Sequence, residues 1–333
     1  MSDTTAPTVP TAPIVAPSSE SITRPPLFAR PVLLATDGTN AAGAAVRFTG
    51  ALARNRHAAP LVLTVLPPLA NRREDPAAAA GAPTDQSAEA ERRGRQLRDI
   101  REHLGAFGGR GPGGAVTWPV DLAVGRPAAT IVQEARRRDV GSIVVGLRRH
   151  GTLDRLFRDE TALIVVRTAA VPVLAIAPTL TDLPRCVIAA VDFSRASLAA
   201  ARAAASVLAD GATLLLVHVQ PEMGSVRAAA GYGTAYSQGV GSAFTRLHQE
   251  LDVPAGVAVE PVLLRGDATT ELLALADRVG ADLIAVGGQS QGPDRLSLES
   301  VTRSLVREGR VSLLVVPPSH DPAPHAAVDA RTI

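Results

Sequence analysis

The chain has 333 residues, about two domains' worth at roughly 150 residues each. All 34 of its basic residues are arginine, against 32 acidic ones. With no lysine, a Walker A loop, a protein-kinase catalytic site and a pyridoxal phosphate Schiff base are all excluded.

A single cysteine, Cys186, leaves no intrachain disulfide and no multi-cysteine metal site. No pair of histidines has metal spacing with an acidic partner, so no metal is expected. Residues 1–29 are rich in Pro, Thr, Ala and Ser and have little to bury, so they read as a disordered tail rather than a signal peptide. Residues 319–333 read the same way. No stretch is both apolar enough and long enough to span a bilayer. Neither a membrane nor nucleic acid is expected as a partner, and the expected location is the cytoplasm. Residues 1–180 carry 22 Arg and 16 acidic residues, a net +6; residues 181–333 carry 12 and 16, a net −4. Opposite signs could draw the halves together, or could be two solvated faces that drifted apart in charge.

In chain order, an apolar strand ends in Asp37 (Pro31-Val-Leu-Leu-Ala-Thr-Asp37) and is followed by an Ala-rich stretch of helical period. A second apolar run, Leu61–Leu66, follows. Residues Glu91–Phe107 predict a helix with Leu97, Ile100, Leu104 and Phe107 on one stripe. Gly108–Gly114 reads as a flexible run. Val124-Gly125-Arg126-Pro127 reads as a strand-to-helix turn, and Ser142–Gly146 as a strand. Pro172–Pro178 closes the set.

The same series then repeats. Arg185–Asp192 matches the first strand, Thr213–Val219 the second, Leu264–Asp267 the turn, Asp282–Gly287 the fourth strand and Val311–Pro317 the last. Offsets are 192 − 37 = 155, 287 − 146 = 141 and 317 − 178 = 139. The jump lies between the second and third strands, where copy one carries extra residues. One domain written twice accounts for this, as units 30–180 and 185–318. Continuous apolar strands alternating with helices indicate a doubly wound α/β fold with parallel sheets. In such folds ligands sit beyond the carboxyl ends of the strands at the switch point. That singles out Asp37 and Gly146 in copy one, Asp192 and Gly287 in copy two.

The ordered motifs resemble the universal stress protein family in its tandem form: Asp37-Gly-Thr, Val191-Asp192-Phe-Ser, Leu-Leu-Val-His218-Val219, the Gly turn, Ile-Val-Val-Gly146, Leu-Ile-Ala-Val-Gly287 and Pro-Val-Leu-Ala-Ile-Ala. The resemblance implies an adenine nucleotide alpha hydrolase-like, five-stranded parallel sheet of order 3-2-1-4-5 in each copy. It also implies pairing through the last strands, here within one chain, with further homodimerisation open. One branch of that family binds ATP through Gly-x-x-Gly, nine residues, then Gly-Ser/Thr. Glycine there lets backbone N–H groups approach phosphate oxygens.

Neither copy keeps that loop. Copy one has Arg149 at the second glycine and Asp159-Glu160 at the later pair. Copy two has Gly287, Gly288, Ser300 and Thr302, but Glu299 stands where the last glycine belongs. Like charges 4 Å apart repel by about 4 kcal/mol at an effective dielectric of about 20. ATP is therefore disfavoured as a cofactor, with copy two, including Val219 on its second strand, the better residual nucleotide site. Asp37 and Asp192 either approach the adenosine, as the resemblance implies, or cap the first helix of their copy.

Three other features have competing readings. Gly288-Gln-Ser290-Gln-Gly292 has the form of a nucleophile elbow, but no acid and His follow in placed positions, so a hydrolase at Ser290 is the weakest reading. Arg148, Arg149, His150, Arg155 and Arg158 could hold an anion or pair with neighbouring carboxylates. His218 in its apolar strand reads as a satisfied core histidine. No catalytic residue is assigned. The expected role is a non-catalytic stress-response sensor or adaptor for a protein or small-molecule partner.

Overall fold

The computed structural model describes residues 28–39, 42–66, 118–147, 159–220, 232–288, 295–308 and 310–318, with scattered helical positions between 91 and 102 and one pair of two-residue strands at 110–111 and 114–115.

Copy one runs β1 (Val32–Ala35), α1 (Gly43–Arg56), β2 (Pro60–Leu66), the small hairpin β3 (Arg110–Gly111) and β4 (Gly114–Ala115), β5 (Val120–Val124), α2 (Pro127–Arg137), β6 (Ser142–Gly146), α3 (Asp159–Thr168) and β7 (Val173–Ile176). Copy two runs β8 (Cys186–Ala190), α4 (Arg195–Val207), β9 (Thr213–Gln220), α5 (Tyr232–Glu250), β10 (Ala258–Arg265), α6 (Ala268–Val279), β11 (Leu283–Gly287), α7 (Arg295–Glu308) and β12 (Ser312–Val316). Leu97 and Ile100 of the expected helix 91–107 are helical, and Ile100 is buried. Leu104 and Phe107 lie outside the described residues, as do both tails and most of the Gly108–Gly114 run.

The strands form one ten-stranded sheet in the order β10-β9-β8-β11-β12-β7-β6-β1-β2-β5. Each half therefore has the order 3-2-1-4-5, all parallel within the half. The halves join where β12 pairs antiparallel with β7. Strands buried on both faces read as near-continuous apolar runs, and β7, β11 and β12 are buried throughout, with Ser312, whose hydroxyl accepts the Ala177 N–H at 3.1 Å, the one polar side chain among them.

Alternation along the strands feeds two cores, and each core spans both copies. Val32, Leu34, Leu174, Val187 and Leu314 point to the face covered by α1, α4 and α5, together with Ile100. Leu33, Val173, Ile188 and Leu313 point to the face covered by α2, α3, α6 and α7.

The sheet register corrects one sequence offset. Ile143 pairs with Val173, and its counterpart Ile284 pairs with Leu313, so the last strands are offset by 313 − 173 = 140, not 139. A slip of one residue would turn every side chain of β12 to the wrong face. Pro178 is thus the counterpart of Pro318 rather than Pro317, since no ladder hydrogen bond ties Pro178 to Pro317. With the true offset, β7 and β12 pair symmetrically: Val173 with Val315, Leu174 with Leu314, Ala175 with Leu313. A pseudo-twofold axis thus passes through the Leu174–Leu314 pair.

Candidate functional site

The switch point of each half lies beyond the carboxyl ends of its first and fourth strands. In copy one β1 delivers Asp37. Its Oδ1 accepts the Thr39 backbone N–H at 3.0 Å and the Thr39 hydroxyl at 2.7 Å. Asp192, after β8, is arranged the same way, with Oδ1 accepting the Ser194 N–H at 3.0 Å. These are aspartate turns that close on the chain two residues later.

Neither aspartate caps its helix, which corrects one of the two expectations. The N-cap of α1 is Ala42, with no side-chain bond. The N-cap of α4 is Ser194, whose hydroxyl accepts the Ser197 N–H at 3.2 Å. A serine two residues on stands in β geometry and reaches the first helical turn; Asp192 is spent on orienting that serine.

Between Asp and helix, both copies place a residue in left-handed backbone. In copy one it is Gly38 (φ 72°); in copy two it is Phe193 (φ 62°). A Cβ on Gly38 would lie 2.8 Å from Ile100 Cγ1, so the helical position Ile100 sits directly on the glycine. In copy two the glycine's position carries the partly buried Phe193 ring. It lies 4.8 Å from the His218 ring and 5.2 Å, edge to face, from Phe244 on α5.

The neighbouring second strand is used alike in both halves. Thr64 Oγ1 donates to the Thr36 carbonyl at 2.8 Å. At the equivalent place His218 Nδ1 lies 2.8 Å from the Val191 carbonyl. A carbonyl only accepts, so Nδ1 carries the proton. His218 is thus a satisfied histidine that anchors the strand end before Asp192.

The fourth-strand glycines are held by the fold. Gly287 is buried, and a Cβ there would stand 2.7 Å from the Ala196 carbonyl carbon in the first turn of α4. Gly288 donates its N–H to the Val316 carbonyl at 2.6 Å, and a Cβ would meet that oxygen at 3.1 Å. In copy one Gly146 is half-buried, and the following residue, Leu147, makes the equivalent bond to Ile176 at 2.7 Å. That Leu147 serves as well as Gly288 indicates that this amide position belongs to the sheet.

Val219 points away from His218, to the opposite face of the sheet, where Val262 and Leu264 pack. Thr302 is buried on α7 beside Val301. Ser300 is in the same helix; its side chain lies outside the described residues, as do those of Asp159, Glu160 and Glu299. Arg148, Arg149, His150, Arg155, Arg158 and Ser290 are also outside them. Among the described residues, no group of three His, Cys, Asp or Glu could hold a metal ion, and no helix is long and apolar enough to cross a membrane. Cys186 at the start of β8 is partly buried. Burial, with Asp282 and Glu260 nearby, pushes its thiol up.

Phe193, Phe244 and Thr64 have no site role in the sequence reading, and Ile100 enters it only as a core position of the helix 91–107. The one available signal was the aromatic directly after Asp192, where copy one has glycine.

Fold and site together define two doubly wound α/β units in one chain, each with a cleft position at its switch point. The universal stress protein family model matches residues 29–177 and again 185–317, and the chain belongs to that family. Among solved structures it is similar to a universal stress protein from Archaeoglobus fulgidus DSM 4304, at 18% identity and TM-score 0.60, covering 88% of this chain and 98% of that one. It is also similar to a protein of unknown function from Pseudomonas aeruginosa PAO1 (15%, TM-score 0.56, 88% and 94% covered). A putative universal stress protein from Pseudomonas aeruginosa UCBPP-PA14 is a third (16%, TM-score 0.53, 88% and 95%). At such identities the likeness speaks to fold alone. No curated protein matches the chain.

Proposed function

We propose that this universal stress protein acts without catalysis, as a sensor or adaptor whose nucleotide loops are degraded, in units 30–180 and 185–318. The observation that carries this reading is the use of the copy-two glycines. Gly287 is packed against the Ala196 backbone, and the Gly288 amide is bonded to Val316. A phosphate cradle needs outward N–H groups and open approach; here one amide is engaged and one glycine is enclosed. The Phe193–His218–Phe244 cluster supports the same reading, because it packs side chains beside the strand ends that flank the cleft. Isothermal titration with Mg·ATP tests it: no heat at micromolar concentrations is expected, and micromolar binding would overturn it.

The second reading is nucleotide binding in copy two, with slow ATPase at most. Its support is that Gly287, Gly288, Ser300 and Thr302 survive there while copy one keeps only Gly146. Replacing Glu299 by glycine discriminates. If the loop is a damaged phosphate site, removing that carboxylate strengthens ATP binding; if binding stays absent, the adaptor reading stands.

A further inference from the structure

Close to the pseudo-twofold axis the two halves carry opposite charges at the same position. Val32 pairs with Pro60, and its counterpart Val187 pairs with Leu214. Four residues before these partners stand Arg56 and Asp210. The backbone agrees with the equivalence, because each is followed by a left-handed residue, His57 (φ 53°) and Gly211 (φ 69°).

Arg56 Nη2 lies 3.8 Å from Asp210 Oδ1. The same guanidinium donates from Nε to the Ser206 carbonyl at 3.1 Å, from Nη2 to the Leu208 carbonyl, and from Nη1 to the Asn55 carbonyl at 3.1 Å. Asn55 is at the end of α1; Ser206 and Leu208 are at the end of α4. Helix C-termini carry partial negative charge and unpaired carbonyls. Helix α4 has no basic residue in its own last turn, so its cation comes from the other half of the chain.

A symmetric interface matches each patch with itself. Two copies of the first half would set Arg56 against Arg56. Two copies of the second half would set Asp210 against Asp210 and leave the α4 carbonyls without this donor. Only the mixed pair brings opposite charges together and satisfies those carbonyls.

We propose that Arg56 and Asp210 form a charge code that matches the first half of the chain to the second across the pseudo-twofold axis. Asp210 is 93% exposed, so the ion pair alone is weak. Arg56 is 22% exposed, and its bonds to Ser206 and Leu208 carry most of the preference. Specificity here comes as much from what like pairing would lose as from what the mixed pair gains.

The test is a charge-swap cycle in the full chain, read by thermal unfolding: Arg56→Asp, Asp210→Arg and both together. Arg56→Asp is expected to lower the midpoint by at least about 2–4 °C. The swap should recover at least half of that loss, because Arg at 210 faces the end of α1 as Arg56 faces the end of α4. A swap no better than the two single losses added, or an unchanged midpoint for Arg56→Asp, overturns the code. If Arg56→Asp does not fold, Arg56→Gln serves, read by amide hydrogen exchange in the last turn of α4. Faster exchange there supports the code, and exchange equal to that of the unaltered chain overturns it.

Discussion

The rings of Phe193 and Phe244 meet edge to face, centroids 5.2 Å apart, at an interplanar angle of 83°. Phe193 holds a backbone conformation that costs a side-chain-bearing residue roughly 1–2 kcal/mol. At the equivalent place copy one uses Gly38, which is free of that cost, and lets Ile100 close the gap. Copy two accepts the strain and packs the ring against Phe244 and His218.

Two substitutions separate strain from packing. Phe244 is buried, so Phe244→Ala leaves a cavity beside the partly buried Phe193 ring and should destabilise by about 3–5 kcal/mol. Phe193→Gly should cost clearly less, because relief of backbone strain offsets part of the lost contact. In the cycle of the two, a coupling of about 0.5–1.5 kcal/mol is expected by chemical denaturation. Equal losses from both single variants would contradict the account of Phe193.

Gly287→Ala forces a Cβ against the Ala196 backbone, which no rotamer change can relieve. A loss of about 1–3 kcal/mol follows from overpacking. Gly288→Ala meets Val316, Pro317 and Pro318 at 3.1–3.3 Å and should lose less. Unfolding midpoints of the two variants check the order.

Asp267 caps α6: its Oδ1 accepts the Thr270 N–H at 2.9 Å and the Thr270 hydroxyl at 2.8 Å. Those bonds hold its carboxyl below the ordinary value. The native state therefore binds this proton less readily than the unfolded chain. The cap's contribution is full above the ordinary carboxyl range near ~4 and is lost as pH falls through the lowered native value. Asp267→Ala should cost about 1 kcal/mol at neutral pH, and the gap to the parent should shrink in acid. Urea melts at several pH values measure it.

Cys186 should react slowly. Burial, then the carboxylates of Asp282 and Glu260, push its thiol up, which keeps the thiolate scarce at neutral pH. Asp282 also accepts the Cys186 N–H at 3.1 Å and the Arg185 N–H at 2.7 Å, pinning the start of β8. Native protein should take up a disulfide reagent far more slowly than protein in denaturant. Asp282→Asn should quicken it. Equal native and denatured rates would contradict this picture.

The strands, their apolar faces and the duplication could be read directly from Val/Leu/Ile runs and recurring turns, because burial on both faces leaves a continuous apolar signature. The Asp267 turn and the Gly266-to-helix transition were legible for the same local reason. The replacements at the expected phosphate-loop positions, Arg149 in copy one and Glu299 in copy two, were legible too, since glycine or its absence is a property of single positions. His218 reads from sequence as a satisfied core histidine; its ring is hydrogen-bonded to the Val191 carbonyl but only half-buried.

What lay beyond the sequence was contact between distant segments. The cap of α4 went to Ser194 rather than Asp192, and α1 begins at Ala42 with no side-chain cap, because Asp37 and Asp192 close on the chain two residues later instead of reaching the first helical turn. The last-strand offset was settled by hydrogen-bond register, which matching prolines cannot report. The packing of Phe193 on Phe244 joins residues 51 positions apart, and Arg56 reaches carbonyls 150 and 152 positions away. The opposite net charges of the two halves were countable from the start. Only the antiparallel joining of β7 and β12 turned two of those charges, Arg56 and Asp210, into neighbours, because a pseudo-twofold axis brings equivalent positions face to face.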